Sequence, residues 1–298
     1  MNQDFKKVFK TPKYTGVSLA LLSMFVLTCM MVVWNRISET PKGTNSEVLE
    51  IFCENRLQSV FRPAIQSFYQ NTGIGSNVSF LTKDELQSAI SEGDYQHSMI
   101  FIGKKSLSSK ENFQNNFDEK FLIGHNAVKD EKLPQEEIFC LMGNQLTQPS
   151  YAFALTRFIL SPDHGHVLLK PKGFIPQPGD KWQRTPSVIV FATESFREEL
   201  SHCLKNFSIK EGIQVELNIK TAGSISKTIA LIAKSNAKQY LPDIVFGCNE
   251  IEEYPELFMP RRNKILSTFA QESYISKASK SWYAAQRLVT AVEKSFAK

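Results

Sequence analysis

Residues 49–74 read LEIFCENRLQSVFRPAIQSFYQNTGI, and residues 188–213 read VIVFATESFREELSHCLKNFSIKEGI. A shift of 139 positions lays the second stretch on the first without a gap, placing Phe52 on Phe191, Ile65 on Leu204, Phe68 on Phe207 and Gly73 on Gly212. The match continues with Val78 on Leu217, Thr82 on Thr221, Leu86 on Ile225 and Ile90 on Ile229. A slightly larger shift, 144, then brings Ile102-Gly103 onto Phe246-Gly247. Solenoid periods run to about 20–50 residues, so a repeat this long signals a duplicated domain.

Each copy has the same local pattern. Short β-rich runs at 48–52 and 187–192 predict buried strands. In the first copy Val60, Phe61, Ala64, Ile65 and Phe68 form one apolar helical stripe; Leu200, Cys203, Leu204 and Phe207 do so in the second. Pro63 is expected in the first helical turn, where its missing N–H costs little. Gly73 and Gly212 suit left-handed helix ends. Strands at 75–81 and 214–220, helices at 83–91 and 224–235, and third strands at 98–102 and 243–246 complete a βαβαβ unit. That order makes an α/β fold with a mostly parallel sheet. An amphipathic helix at 149–160 follows the first unit, with a weak echo at 282–290. The Pro-rich stretch QPGDKWQRTP, 177–186, separates the two halves.

The domain plan is a basic tail (1–15), an apolar span (16–34), a tether (35–46), a first lobe (47–177), a linker (178–186) and a second lobe (187–298). The span GVSLALLSMFVLTCMMVVW carries no charge. As a helix it is about 28 Å long, enough for a bilayer core. Lys6, Lys7, Lys10 and Lys13 precede it and Arg36 follows, which predicts a cytoplasmic N-terminus and an extracytoplasmic remainder. The flank NRISETPKG lacks a small-residue cleavage site, so the span reads as an uncleaved anchor in the cytoplasmic (inner) membrane. The net charge of +5 is concentrated in the tail lysines, so nucleic acid is not an expected partner. Cys53, Cys140, Cys203 and Cys248 show no C-x-x-C spacing and do not coincide under the repeat. They are expected to be buried free thiols on strands and helices.

The run F-A-x-x-S-hydrophobic at 191–196, its helix, the E-G-hydrophobic corner at 211–213 and the strand and helix beyond resemble the type II periplasmic solute-binding proteins of ABC transporters, in particular the molybdate-binding group. ALTRFILSPDHGHVLLKPKGFIP, 154–176, resembles the helix, S-P turn and K-x-G-F element that close their first lobe. The fold expected is therefore two tandem type II lobes after a transmembrane helix. Family members carry a second lobe of roughly a hundred residues between the third strand and the closing helix. Here only about 46 residues separate Gly103 from Pro149, so each repeat looks like a single shortened lobe.

The resemblance implies an oxyanion held by hydroxyls and helix N-termini, one serine following the first strand and another following the second. It nominates Ser195 with Thr193, and Thr221 with Ser224, facing a cleft between the two lobes. In the first copy Arg56, preceded by Glu54, replaces Ser195, and Lys83 stands at the second position. Ser195 and Ser224 are equally placed to be helix caps, and Arg56 to pair with Glu54. His164 and His166 in DHGH read as a solvated turn in preference to a metal pair. No nucleophile elbow, phosphate-binding loop or zinc helix occurs, so neither an enzyme nor a cofactor is expected. The expected function is oxyanion capture, for instance of molybdate, for a membrane permease; the alternative is a degenerate scaffold that binds protein at the membrane.

Overall fold

The computed structural model describes residues 48–93, 95–107, 117–126, 136–261 and 273–296. The tail, apolar span and tether at 1–46 lie outside them, and no described helix is long and apolar enough to cross a membrane.

In the first half, β1 (Leu49–Glu54) leads through a 3-10 turn into α1 (Gln58–Thr72), then β2 (Ser76–Leu81), α2 (Lys83–Glu92) and β3 (Met99–Gly103). Leu49, Ile51 and Cys53 face one side of the sheet and meet Phe61, Ala64, Ile65 and Phe68 of α1. Ile100 and Ile102 of β3 pack beneath Leu86 and Ile90 of α2 on the other side. All five residues of β3 are buried, as a central strand covered on both faces requires. Gly73 closes α1 at φ +73°, a conformation that glycine adopts without steric cost. Pro63 is not in the first turn as expected. Helix α1 already begins at Gln58, five residues ahead of Pro63, which places the proline inside the helix beyond its first turn.

The stretch after β3 folds as strands β4 (Phe117–Asn126) and β5 (Glu136–Gly143), followed by α3 (Pro149–Leu160), α4 (Gly165–Leu169) and the short β6 (Phe174–Pro176). The second half repeats the plan with β7 (Ser187–Ala192), α5 (Arg197–Glu211), β8 (Gln214–Ile219), α6 (Ala222–Lys234), β9 (Ile244–Phe246), β10 (Phe258–Arg261), β11 (Ser273–Ser276) and α7 (Trp282–Phe296). The first sheet is ordered β2-β1-β3-β5-β4-β6 and the second, in the same sense, β8-β7-β9-β11-β10. In both, three parallel strands are extended by an antiparallel pair. The duplication therefore includes this pair, where sequence similarity has vanished.

The halves meet through helices. Helix α3 packs on α5, and Arg287 of α7 lies over the rings of Phe121 and Phe153 at 4.6 and 5.4 Å. Arg287 also pairs with Glu211 and Glu119, Lys210 with Asp118, and Lys294 with Glu119. Burial alone would lower the Arg287 pKa, but the Glu211 carboxylate together with Glu119 and Tyr283 more than offsets it. Within the linker, Asp180 accepts the amide N–H groups of Tyr283 (2.9 Å) and Ala284 (3.1 Å) at the start of α7.

Candidate functional site

The register locates this seam relative to the expected ligand positions. Glu119 pairs with Met142, and Met142 with Met99, so Asp118 and Glu119 sit where the parallel strands begin. The corners Thr72–Ile74 and Gly212–Gln214, which line a cavity of the seam, also precede β2 and β8. The nominated ligand residues follow β7 and β8, at the opposite end. A six-residue strand separates the two ends by about 20 Å. The expected cleft with both repeats facing one ligand is therefore corrected: the halves pack through the strand-starting ends, driven by the α3, α5 and α7 surfaces.

All four nominated residues lie at one edge of the second sheet. Thr193 and Ser195 hydroxyls are 3.0 Å apart, and Thr193 N–H donates to the Phe246 carbonyl at 3.3 Å. Ser195 is not at a helix start: it sits in a 3-10 turn, Glu194–Phe196, and α5 begins at Arg197. Thr221 caps α6, its hydroxyl accepting Ser224 N–H at 3.3 Å. Ser224 is thus the capped residue rather than the cap. Gly247, at φ +71°, lies against Thr193, where a Cβ would come within 2.3 Å of Oγ1. Beside it, Cys248 Sγ lies 3.2 Å from Glu250 Oε2 and 3.6 Å from the Ala222 carbonyl, two acceptors within reach of its single S–H. Burial, with the Glu250 carboxylate, pushes that thiol up to about 12. Ser195, Thr221 and Ser224 are exposed, and the cavities between the halves are lined by other residues.

The equivalent edge of the first sheet is built differently. Glu54, in the place of Thr193, is buried at 4% exposure. Its carboxylate accepts Gly103 N–H (3.0 Å), the Ser106 hydroxyl (3.0 Å) and two N–H groups of Arg56 (2.5 and 3.0 Å). Arg56 also grips Glu136, from the start of β5, with both terminal nitrogens, one at 2.8 Å. Glu136 in turn accepts Lys105 N–H at 3.0 Å. The hydrogen bond from Arg56 holds the Glu136 carboxyl below its usual range, and the same bond leads in keeping Arg56 protonated. Backbone N–H groups, a hydroxyl and a cation, the donors an oxyanion would use, are thus already occupied by two carboxylates of the chain itself. Glu54 and Arg56 were legible as a pair; Glu136 was not, although the alternation Ile138, Cys140, Met142 marks its strand.

His164 packs on Phe158 (4.9 Å between ring centroids), and the His166 ring lies 3.1 Å from the Gln177 carbonyl. Among the described residues no group of acidic, Cys or His side chains is placed to hold a metal. Cys53, Cys140, Cys203 and Cys248 are free and buried; Cys248 follows β9 in a loop, not in a strand or helix as expected.

The sequence matches no protein-family model and no curated protein. Among solved structures it is similar to a phosphate-binding protein of a phosphate ABC transporter from Streptococcus pneumoniae, with 10% identity over 83% of this chain and 98% of that one, TM-score 0.18. HinK, a LysR family transcriptional regulator from Pseudomonas aeruginosa, aligns at 11% identity over 97% and 83% of the two chains, TM-score 0.20. Full-length CbnR, solved with its target DNA, aligns at 14% identity over 95% and 79%, TM-score 0.19. At these scores none of the three superposes on the chain as a whole.

Proposed function

We propose that this chain is a solute-binding-like scaffold that has lost ligand capture in its first half and works by binding a protein partner at the membrane. The Glu54–Arg56–Glu136 cluster carries this reading, because it occupies internally the Gly103 and Lys105 N–H groups, the Ser106 hydroxyl and the Arg56 guanidinium that an oxyanion following β1 would use. The span 16–34 anchors the chain in the cytoplasmic membrane, leaving the two halves on the extracytoplasmic side. The chain has no catalytic role. Its partner-facing surface is the open groove beside edge strand β2, about 630 Å³, bordered by Val48, Arg62, Tyr69 and Phe80. Edge strands with unpaired backbone groups readily accept a partner's strand.

A second reading is favoured by one observation: the Thr193–Ser195 hydroxyl pair stands beside capped α6 in the second half. There the chain keeps half an oxyanion site and serves a permease. Thermal shift of the full-length protein with molybdate, tungstate, sulfate and phosphate separates the two. The scaffold reading expects no stabilisation at millimolar anion, since any ligand of the folded state raises its melting temperature. A rise that Ser195→Leu abolishes restores the oxyanion reading. In membranes, a partner crosslinked to the chain is expected to be lost in Tyr69→Glu while the melting temperature stays unchanged.

A further inference from the structure

Arg157, on α3, is a cation without a carboxylate. Its Nε is sealed from solvent and has no hydrogen-bond partner. Its one hydrogen bond among the described residues runs from Nη1 to the backbone carbonyl of Glu211, 2.7 Å. The two acidic groups near it are committed elsewhere: Glu211 to Arg287, and Asp180 to the amide N–H groups that open α7. Burial lowers the Arg157 pKa to about 10, the direction expected for a desolvated, poorly compensated charge.

This guanidinium lines a cavity of about 300 Å³ between the halves. That volume is at the lower end of small-molecule pockets, about 300–1,000 Å³. Arg184, exposed at the mouth, is a second cation; Ser150 and Ser208 bring hydroxyls from the first and second halves. Ile213 and Trp182 add apolar walls. An inorganic oxyanion would leave those walls in water, whereas an organic carboxylate covers them and offers the planar, two-oxygen partner that suits a guanidinium fork.

We infer that the seam between the halves is a binding site for a small organic carboxylate, its charge held by Arg157 and Arg184 and its apolar body against Ile213 and Trp182. This site is at the opposite end of the sheets from the Thr193–Ser195 edge and does not depend on the reading of that edge. A ligand there touches both halves at once and reports their packing.

Benzoate is the probe, with acetate, phosphate and sulfate at matched ionic strength, on the full-length protein. Benzoate is expected to raise the melting temperature, acetate less, and the inorganic anions not at all. By calorimetry, Arg157→Met weakens benzoate binding by at least about ten-fold, the loss expected for a charge-assisted pair. Ser208→Leu keeps the cation but narrows the cavity and also cancels the response, so the test stands even where Arg157→Met fails to fold. Arg62→Met, which removes a charge from the β2 groove, leaves it intact. The inference is overturned by an unresponsive native protein, by a benzoate response that survives in both seam variants, or by equal stabilisation from phosphate.

Discussion

At the scale of single residues, the first half is defined by one arginine between two carboxylates. Arg56→Met strands the two buried carboxylates of Glu54 and Glu136 beside each other; because Arg56 itself is 40% exposed, solvent screening limits the cost to about 1–3 kcal/mol. Chemical denaturation of the variant checks this value. The pH dependence has a definite sign. Because Arg56 holds the folded Glu136 pKa below its unfolded value near 4.5, the stabilisation is complete above that pH and drains away as pH falls beneath it. Native protein is therefore expected to lose stability more steeply between pH 4.5 and acid than Arg56→Met, in parallel urea titrations. The sequence exposed half of this cluster. Glu54 and Arg56 are two positions apart, but Glu136 lies 80 positions from Arg56 and arrives only through the β5 register. A contact that depends on tertiary strand pairing leaves no local trace.

Secondary elements show the same division. Helices with apolar stripes and caps were readable because their signals are local: Thr82 and Glu85 form a complete capping box on α2, and Pro149 opens α3. The β4–β5 pair leaves a weaker trace, because β4 alternates only in part, is broken by two register shifts, and is held by pairing with distant strands. Among the nominated ligand residues, Thr221 is structurally committed and Ser195 is not. Thr221→Ala is expected to cost about 1 kcal/mol through loss of the α6 cap, whereas exposed Ser195→Ala stays within about 0.5 kcal/mol. Equilibrium unfolding of the two single variants distinguishes a helix cap from an exposed hydroxyl bonded to its neighbour Thr193. The four residues follow β7 and β8 at one sheet end, and local sequence does not separate a 3-10 turn from a helix start at Ser195, because the two differ by a single hydrogen-bond register.

At the scale of the whole molecule, duplication set the plan and the seam set the arrangement. The repeat made two similar sheets legible; of the side chains joining them, Glu211 falls opposite Thr72 in the repeat, and Arg157, Arg287 and Glu119 lie outside the aligned stretches, so the repeat predicts none of their contacts. Arg287→Met leaves Glu211 and Glu119 without this guanidinium, at a cost of about 3–5 kcal/mol, and is expected to divide one calorimetric unfolding transition into two. The buried cysteines extend the point. Cys53 and Cys140 stand level on strands separated by β3, about 9–10 Å apart, beyond the reach of a disulfide. All four thiols are at most 7% exposed, and burial keeps Cys53, Cys140 and Cys248 protonated at neutral pH. A thiol reagent can therefore react with them only after the surrounding segment has come apart. The chain carries its own reporters of local opening, two in the first core, one on α5 and one behind the Thr193 edge, and their separate alkylation rates rank how firmly each region is closed.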